Sequence, residues 1–439
     1  MKIGIRREDK SKWERRVPLT PHHIKFLKKK YNIQTVLQPS KIRIFSDSEY
    51  RKIGANIQED LSDCEIILGV KEMPKSFFSS EKTYIFFSHI IKGQPYNMSM
   101  LQKILDLKCN LIDYEKIVDD NDNRLIFFGK HAGIAGMIDA LWAFGQRLKS
   151  EKISDHFHEI KKAYQYDSLK QAENIIKKIG KKIARDGIPE KLLPLVCGIT
   201  GYGNVSKGAQ QILDWLPTIE ISPFELLKLR SENASKNHIY KVIFKEKNLV
   251  LPKKNEDKFE LQDYYENPQK YKSQFEKYIP HLSLLVNCIY WAPQYPKVIT
   301  KENLKSLYQN ENEHKLKIIG DISCDINGSI EFTSKVTEPD NPAYVYNPIS
   351  DETIDGIAGC GVVVIARDNL PCEIPRESSE FFSDELVGFI PQIMNAHISG
   401  KMKKSLLPKS IQKALIVNYG KLTKNFKYLE KYLKKTKEK

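Results

Sequence analysis

The chain has 439 residues, which is long enough for two or three domains with substantial hydrophobic cores. Hydrophobic residues make up 41% and charged residues 28%, a composition typical of globular proteins, and the absence of a long apolar run excludes a membrane span. The net charge of +15 is spread along helical patterns, so we expect solvated helix faces that favour anionic substrates, with no nucleic-acid or membrane partner.

The seven cysteines are odd in number, scattered and free of C-x-x-C spacing, which indicates reduced thiols. The N-terminus becomes charged between Arg6 and Lys10, so it lacks the apolar centre of a signal peptide. Together these observations predict a cytoplasmic location. His156 and His158 have no plausible set of partner ligands, and we expect no metal site.

The first part of the chain alternates strand and helix patterns, which predicts an α/β fold. A strand is expected at Lys2 to Ile5, and Thr20 followed by Pro21 is typical of a helix start. Further strands, with helical stretches between them, are predicted at 35–37, 65–70, 84–87 and 109–112.

Three of these predicted strands end in polar residues, which are Lys71, His89 and Glu115. Open parallel sheets place ligand sites at the carboxyl ends of their strands. Taken singly, each residue is more easily interpreted as a solvated or capping group. Their succession at three strand ends indicates a candidate site, in which Lys71 and His89 can exchange protons with a substrate.

A further strand is predicted at 124–128, and the segment Gly129 to Gly136 leads into an apolar helix. The small residues of this segment allow close packing, and we expect the helix to carry the chain into a second domain. A basic amphipathic helix is predicted at Ser168 to Gly187, with apolar residues at helical spacing on one side.

The apolar run Leu195 to Ile199 is typical of a buried parallel strand and leads through a glycine turn into a helical pattern. Gly201 allows the turn, and Gly203 removes a side chain that would keep a pyrophosphate from the amides of the helix N-terminus. Gly208 is expected to let the helix lie close to the strand. Ser206 occupies the third glycine position of the dinucleotide fingerprint, and such a turn is also a common strand-to-helix connection.

The second strand of this region, Thr218 to Ile221, ends at Ser222, where NAD-binding folds usually supply an acid to the ribose hydroxyls. Lys228 and Arg230 follow it along the chain. Residues 231–280 are polar and tyrosine-rich, and they are predicted to be an insertion and not a repeated α/β unit.

Two later strands are predicted at Leu284 to Trp291 and at Lys317 to Ile319, and both could border the reactive ring of a cofactor. A helix from Glu380 is expected to return the chain to the first domain. A lysine-rich helix from Lys421 onward is expected to dock by its apolar face.

With these segments in view, the sequence resembles the lysine-2-oxoglutarate reductases, the saccharopine-forming portion of the bifunctional aminoadipic semialdehyde synthases, within the broader alanine dehydrogenase and transhydrogenase family. The resemblance extends over almost the whole chain. Its more specific segments are Arg6 to Asp9, Trp13 to Arg16, Phe86 to His89, Ile112 to Lys116, Gly201 to Gln210, Ile289 to Trp291, Gly328 to Phe332 and Asp368 to Pro371.

The resemblance implies an α/β protein of two Rossmann-like domains with parallel-sheet cores and an active site in the cleft between them. Residues 1–132 and 374–439 would form the substrate domain, and residues 133–373 the dinucleotide-binding domain with a tyrosine-rich insertion near 231–280. The implied reaction joins the ε-amine of L-lysine to the keto carbon of 2-oxoglutarate and reduces the imine with NADPH to saccharopine.

The resemblance also implies roles for individual residues. Lys71 and His89 would be the catalytic acid-base pair. The substrate-binding residues would be Arg16, Gln94, Glu115, Arg124, Phe128, Tyr290 and Trp291. The arginines would bind carboxylates, and Glu115 could hold an ammonium group. The cofactor-binding residues would be Gly201, Gly203, Asn204, Val205, Ser222, Asp321, Ile322, Ser323 and Cys324.

Two departures from the pattern bear on function. The chain stops after the reductase portion, so we expect it to perform one of the two synthase reactions. Ser222 stands where the synthases commonly have an acid, which favours NADPH if Lys228 or Arg230 reaches its 2′-phosphate, while NAD stays an alternative cofactor. The alternative functions are an NAD-linked saccharopine dehydrogenase, another amino-acid dehydrogenase of this family, and a catalytically silent ligand-binding protein. The sequence leaves the oligomeric state open.

Overall fold

The computed structural model describes residues 2–254, 257–310 and 314–437. The chain divides into two compact units. Unit 1 consists of Met1–Phe127 and Pro375–Lys439, and unit 2 consists of Phe128–Ile374. Unit 2 is therefore inserted in the sequence between the two segments of unit 1.

The helices and strands follow one another along both units. The first segment of unit 1 contains β1 (Lys2–Ile5), α1 (Pro21–Tyr31), β2 (Gln34–Leu37), α2 (Asp47–Lys52), β3 (Asn56–Ile57), β4 (Ile66–Leu68), β5 (Thr83–Phe86), α3 (Pro95–Asp106) and β6 (Asn110–Asp113). Unit 2 contains α4 (Gly129–Ser150), α5 (Leu169–Asp186), β7 (Val196–Thr200), α6 (Asn204–Leu213), β8 (Thr218–Glu220), α7 (Pro223–Leu226), β9 (Ile239–Phe244), α8 (Glu246–Leu249), β10 (Val250–Pro252), α9 (Leu261–Glu266), β11 (Tyr271–Ser273), β12 (Leu284–Asn287), α10 (Lys301–Asn310), β13 (Ile318–Asp321), β14 (Ala343–Asn347), β15 (Glu352–Asp355) and β16 (Val362–Ile365). The second segment of unit 1 contains α11 (Pro375–Val387), α12 (Ile390–Ala396), β17 (His397–Ile398), β18 (Lys401–Met402), α13 (Lys409–Ala414), β19 (Leu415–Asn418), β20 (Lys421–Leu422) and α14 (Glu430–Lys437).

Unit 1 is built around a sheet with the strand order β20-β19-β6-β5-β4-β1-β2-β3. The strands from β6 to β3 pair in parallel, and β19 joins β6 in antiparallel orientation. Strands β4, β5 and β6 are buried along their whole length, as is typical of parallel strands that are covered on both faces. Because these strands are parallel, the loops that follow them lie at one edge of the sheet.

Unit 2 has a second sheet, in the order β15-β14-β16-β13-β12-β7-β9-β8. Its strands from β16 to β8 are parallel. Successive residues of β7 face opposite cores: Cys197 and Ile199 pack with α4, α5 and α6, whereas Val196 packs on the other face. The two parallel-rich sheets confirm the prediction of two Rossmann-like domains.

The tyrosine-rich segment 231–280, for which we predict an insertion, contributes one strand to the main sheet of unit 2 and a separate two-stranded sheet, β10-β11. Its strand β9 lies within the main sheet between β7 and β8. Tyr264, Tyr271 and Phe275 are buried against the sheet face that α4, α5 and α6 do not cover. The tyrosines therefore fill a hydrophobic core, where their rings bury a large apolar area.

The strand predicted at 124–128 is wrong. Arg124 forms a single bridge with Val118, and the turn between them is closed by the Asp119 carboxylate, which accepts from the Asn123 amide at 2.8 Å. Helix α4 then begins at Gly129. The turn lies directly before residues 124–128 and helix α4 begins directly after them, so this segment does not form the hydrogen-bond ladder of a strand.

Within the described residues, no helix is both long and apolar enough to cross a membrane.

A buried charge cluster in unit 2 links α4 to the segment before unit 1 resumes. Asp139, Arg367 and Glu373 are all buried, and the Ala163 amide donates to Asp139 Oδ1 at 2.8 Å. Arg367 Nε donates to Glu373 Oε1 at 2.9 Å. Burial, and then the charge of neighbouring Glu373, hold the pKa of Asp139 well above its usual range. Asp139 therefore keeps its proton in the folded state at pH values where an exposed aspartate ionises.

We expect Asp139→Asn to raise the melting temperature more at pH 8 than at pH 5. A carboxyl group whose pKa is raised by folding contributes stability below its unfolded pKa of about 4 and loses it as the pH rises, by at most about 1.4 kcal/mol per pH unit. Asparagine can still accept from Ala163 and removes the proton that folding must retain. Thermal unfolding of both proteins at the two pH values measures the difference.

Asp139→Leu is the control, because it also removes the carboxyl group but leaves the Ala163 amide without its acceptor, so it should be about 1–3 kcal/mol less stable than Asp139→Asn at both pH values. A stability difference between Asp139→Asn and the parent that does not change with pH would show that Asp139 is not held protonated.

Candidate functional site

The glycine turn of unit 2 leaves an open helix N-terminus at the end of the central strand. Gly201 follows β7 with a φ of +81°, a conformation that L side chains rarely adopt. Gly203 caps α6, and a Cβ built on it would meet no atom within 4 Å. The amides of the first turn of a helix have no partners within the helix, so this end is suited to an anion such as a pyrophosphate. Asn204 and Val205 lie in that first turn.

The position of α6 is set by its contact with α4. A Cβ on Gly133 would overlap the Val205 carbonyl oxygen, and one on Gly208 would overlap the Lys130 carbonyl oxygen. The two helix backbones therefore touch. The expectation that Gly208 allows the helix to approach the strand is wrong, since this residue faces α4.

A buried polar network joins the carboxyl ends of β7, β12 and β13. Thr200 Oγ1 donates to Asn287 Oδ1 at 2.7 Å, and Asn287 Nδ2 donates to Asp321 Oδ1 at 2.8 Å. Ser323 and Thr333 donate to the Asp321 carboxylate at 2.7 and 2.6 Å. Burial raises the pKa of Asp321, and these donors oppose the rise. The network is fully satisfied and fixes the loop that follows β13.

The predicted cofactor residues of that loop, Ile322, Ser323 and Cys324, differ in their contacts and burial. Ile322 packs its Cδ1 atom at 2.6 Å from where a Cβ of Gly136 would lie, so it helps to anchor α4. Cys324 is half-buried with a φ of +56°, and burial raises the pKa of its thiol to about 12. Ser323 is bonded to Asp321. The loop can therefore border a bound ring, and between residues 321 and 324 only the buried Asp321 has a carboxyl group.

Ser222 lies at the end of β8, and the structure corrects the premise on which its role was predicted. The strand next to β7 is β9, so β8 is one strand farther from the glycine turn. Ser222 caps α7: its hydroxyl accepts from the Glu225 amide at 3.2 Å and donates to the Glu225 carboxylate at 2.7 Å. A carboxylate is therefore present beside Ser222.

In unit 1, Lys71 lies at the same sheet edge as Glu8. Glu8 accepts from the Val70 amide at 2.7 Å and from the Lys71 amide at 3.0 Å, so it fixes the backbone after β4. Burial, and then the nearby Glu14 carboxylate, raise the pKa of Glu8 to about 7. A buried carboxyl group that can exchange a proton near neutral pH therefore adjoins the Lys71 backbone.

His89 is held by the residue that follows Lys71. Its Nδ1 lies 2.8 Å from Glu72 Oε1, and Lys10 pairs with the other carboxylate oxygen at 2.7 Å. Burial alone would raise the pKa of Glu72, but the hydrogen bonds from His89 and Lys10 outweigh it and hold that pKa well below its usual range. His89 has a φ of +48° and is 31% exposed, so its ring is oriented by Glu72 and remains accessible.

A third strand end supports the loop that carries His89. Asp113, at the end of β6, accepts from the Ser88 amide at 3.1 Å and also from the Ser88 hydroxyl. Burial raises the pKa of Asp113 to about 6, although these hydrogen bonds oppose the rise. Asn97 donates to the Ser88 carbonyl oxygen at 2.9 Å. Ser88 is thus held from two sides, and with it the neighbouring His89.

The predicted carboxylate ligands of unit 1 already have acidic partners. Arg16 holds Glu14 with its Nε and Nη2 atoms, each at 2.7 Å, and both side chains are buried. Arg124 pairs with Glu115, so two predicted substrate ligands bind each other. A substrate at this edge would meet preformed ion pairs.

The remaining predicted substrate residues are scattered. Gln94 precedes α3 and accepts from the Lys92 amide at 3.0 Å. Phe128 immediately precedes α4 and belongs to unit 2, outside the unit in which it was expected. Past the end of β12, Tyr290 is 85% exposed, and Trp291 donates to the Tyr295 carbonyl oxygen at 3.2 Å.

Sequence reasoning missed the residues that position the site. Glu8 lies inside the segment Arg6 to Asp9, and Glu72 directly follows Lys71, so both adjoined recognised positions. Thr200 and Asn287 end buried strands, where a polar residue after an apolar run is the available signal. Among the described residues, none of the seven cysteines forms a disulfide, and no group of three or more potential metal ligands occurs.

Comparison with known proteins identifies relatives of the whole chain. An alpha-aminoadipic semialdehyde synthase from Arabidopsis thaliana is 37% identical over 99% of this chain and 42% of its own length. A mitochondrial alpha-aminoadipic semialdehyde synthase from Mus musculus is 34% identical over 98% of this chain and 47% of its own length. The chain therefore spans less than half the length of these curated relatives.

A solved L-alanine dehydrogenase has the same fold, with a TM-score of 0.63 at 15% identity, over 99% of this chain and 100% of that one. Residues 4–135 match the family model described as alanine dehydrogenase/PNT, N-terminal domain, and residues 239–425 match alanine dehydrogenase/PNT, C-terminal domain. These two matches together span more than half of the sequence and include parts of both units. The chain belongs to the alanine dehydrogenase/PNT family.

Proposed function

We propose that the chain is a lysine-2-oxoglutarate reductase, which condenses L-lysine with 2-oxoglutarate and reduces the imine to saccharopine. The observation that carries the proposal is the match of 99% of the chain to part of an alpha-aminoadipic semialdehyde synthase at 37% identity. The geometry is compatible with it, because unit 1 has an oriented His89 and unit 2 has an open helix N-terminus after a glycine turn.

The proposed roles in unit 1 follow from proton balance. Attack of the lysine amine on the keto carbon and loss of water each require a proton to be moved at nitrogen and at oxygen. We assign these transfers to Lys71 and His89, with Glu72 holding His89 through Nδ1 so that Nε2 is the atom directed to the substrate. Saccharopine has three carboxylates, and Arg16 and Arg124 remain the proposed receptors, with Glu115 for an ammonium group.

We propose cofactor-binding residues in unit 2 for two parts of a dinucleotide, the pyrophosphate and the nicotinamide. The amides of Gly203, Asn204 and Val205 would hold the pyrophosphate, and the loop from Asp321 to Cys324 would border the nicotinamide. When bound, the nicotinamide supplies the hydride that reduces the imine. We propose NADPH as the working cofactor, with NAD as the alternative.

The proposed setting is a reducing, cytoplasm-like compartment, supported by the odd number and scattered positions of the seven cysteines. One relative, from Mus musculus, is described as mitochondrial. The proposed partners are the small molecules of the reaction. Many lysines of the basic surface are paired on the protein itself, as Lys177 is with Glu173 at 2.6 Å, which argues against a nucleic-acid stripe.

Purified chain should consume NADPH only when L-lysine and 2-oxoglutarate are both present, with saccharopine as the product. The loss of NADPH absorbance, with each substrate omitted in turn, measures this, and mass spectrometry identifies the product. Oxidation of saccharopine with NAD⁺ at a higher kcat/KM than the forward reaction with NADPH would support an NAD-linked saccharopine dehydrogenase. Absence of turnover with tight nucleotide binding would support a silent ligand-binding protein.

Replacing either proton-transfer residue should lower kcat strongly. Loss of one general acid-base group typically costs about 10²- to 10⁴-fold, so we expect losses in this range for Lys71→Met and for His89→Gln. NADPH binding, followed by fluorescence, should change little. Lys103→Met and His22→Gln replace exposed residues and should retain parental kcat. Full turnover in a folded Lys71 or His89 variant would remove that residue from the mechanism.

Gly203→Ala should weaken nucleotide binding without lowering stability. The added Cβ meets no protein atom within 4 Å, so it would clash only with a bound pyrophosphate. Gly133→Ala is the contrasting variant, because its Cβ overlaps the Val205 carbonyl oxygen and should lower the melting temperature. Thermal unfolding and NADPH titration separate the two effects. Unchanged NADPH affinity in Gly203→Ala would remove the glycine turn from the cofactor site.

A further inference from the structure

The strand beside the glycine turn ends in a lysine. Thr200 of β7 pairs with Phe244 of β9, and the Gly201 amide donates to the Phe244 carbonyl oxygen at 2.8 Å. Lys245 is the next residue along the chain. In Rossmann folds, the group that contacts the adenosine ribose follows the strand next to the glycine-turn strand. By topology, that place belongs to Lys245.

The side chain of Lys245 lies against the glycine turn. Its Nζ is 5.6 Å from the centroid of the Tyr202 ring, and Tyr202 stands between Gly201 and Gly203. Both Lys245 and Tyr202 are exposed. The ammonium group is therefore near the proposed dinucleotide path and open to an anion from solvent.

The other cations considered for this role are engaged elsewhere. Lys228 places its Nζ 3.9 Å from the centroid of the Phe224 ring, and Arg230 Nη1 donates to two carbonyl oxygens of its own segment, each at 3.0 Å. Both follow β8, which is separated from β7 by β9. The end of β8 is two strand spacings, about 10 Å, from the end of β7, whereas the end of β9 is one spacing, about 5 Å, from it.

The neighbouring acid has a partner of its own. The Tyr265 hydroxyl, from α9, donates to Glu246 Oε1 at 2.9 Å. Tyr265 also interacts with Tyr202, so Glu246 and Lys245 both lie on the Tyr202 side of the glycine turn, and only the Glu246 carboxylate already accepts a hydrogen bond from a tyrosine hydroxyl there. A ribose with two hydroxyls would favour the acid, whereas a ribose with a 2′-phosphate would favour the lysine.

We propose that Lys245 recognises the 2′-phosphate of NADPH and is the residue that sets the preference for NADPH over NADH. The proposal rests on the proposed function and deepens its choice of cofactor. Lys245 donates charge-assisted hydrogen bonds to the phosphate, and Tyr202 holds the lysine stem and ammonium over the glycine turn. Ser222 then has a capping role and no contact with the phosphate.

The test uses nucleotide fragments and needs no turnover. Adenosine 2′,5′-bisphosphate and 5′-AMP differ only by the 2′-phosphate, and their dissociation constants are measured by calorimetry on the purified full chain. We expect the bisphosphate to bind about 10- to 100-fold more tightly, as one charge-assisted contact allows. Lys245→Ala should abolish this ratio while 5′-AMP affinity stays unchanged, and Lys245→Glu should reverse it.

Lys247→Ala and Lys228→Ala are the matched controls, because both remove an exposed lysine near the same strands. Both should keep the parental ratio. Persistence of the ratio in Lys245→Ala, or its loss in Lys228→Ala, would overturn the assignment. Equal affinities for the two fragments in the parent protein would overturn it as well. In that case, a loss of 5′-AMP binding in Glu246→Gln would show that Glu246 contacts the ribose.

Kinetics separate this proposal from the proposed function. If the chain is the proposed reductase, Lys245→Ala should raise KM for NADPH with little change in kcat and in the KM for NADH. If turnover is absent but the fragment ratio behaves as expected, the 2′-phosphate site stands and the reductase assignment fails. If turnover is present but the ratio does not depend on Lys245, the reductase assignment stands and this site fails.

Discussion

The close contact between α4 and α6 is the constraint on which the proposed nucleotide site of unit 2 depends. Gly133 faces the Val205 carbonyl oxygen and Gly208 faces that of Lys130, so no side chain separates the two backbones. Protein interiors are packed about as densely as organic crystals, and a contact of this kind leaves little freedom to slide. It fixes α6, and therefore the open turn at Gly203, relative to the sheet.

The second constraint is the polar network that ties the ends of the central strands together. Asp321 is buried and receives donors from Asn287, Ser323 and Thr333, so its charge is compensated inside the protein. A buried carboxylate without such donors would cost several kcal/mol or take up a proton. The satisfied network makes the loop up to Cys324 a rigid border, and it gives Asp321 an architectural role beside any contact with a ligand.

Unit 1 shows how acidic side chains orient the groups proposed for chemistry. Glu8 binds the backbone at Lys71, and Glu72 binds the ring of His89. The arginines suited to substrate carboxylates are already paired, Arg16 with Glu14 and Arg124 with Glu115. Ion pairs that are made before the ligand arrives keep the cations in place, and a carboxylate ligand then competes with, or joins, an existing pair.

The α/β class, most strands of the two sheets and the glycine turn were predictable from the sequence, because buried strands and the turn have local patterns of apolar residues and glycine. The same patterns predicted Lys71 and His89 at strand ends. The order of the strands, and the residues that become neighbours, depend on long-range contacts. Strand β9 pairs with β7, for example through Val196 and Tyr240, and therefore lies between β7 and β8. These two residues are far apart in the chain, and no local pattern encodes their contact. For the same reason, only the folded chain brings Lys245 to the glycine turn and leaves Ser222 as the cap of a short helix.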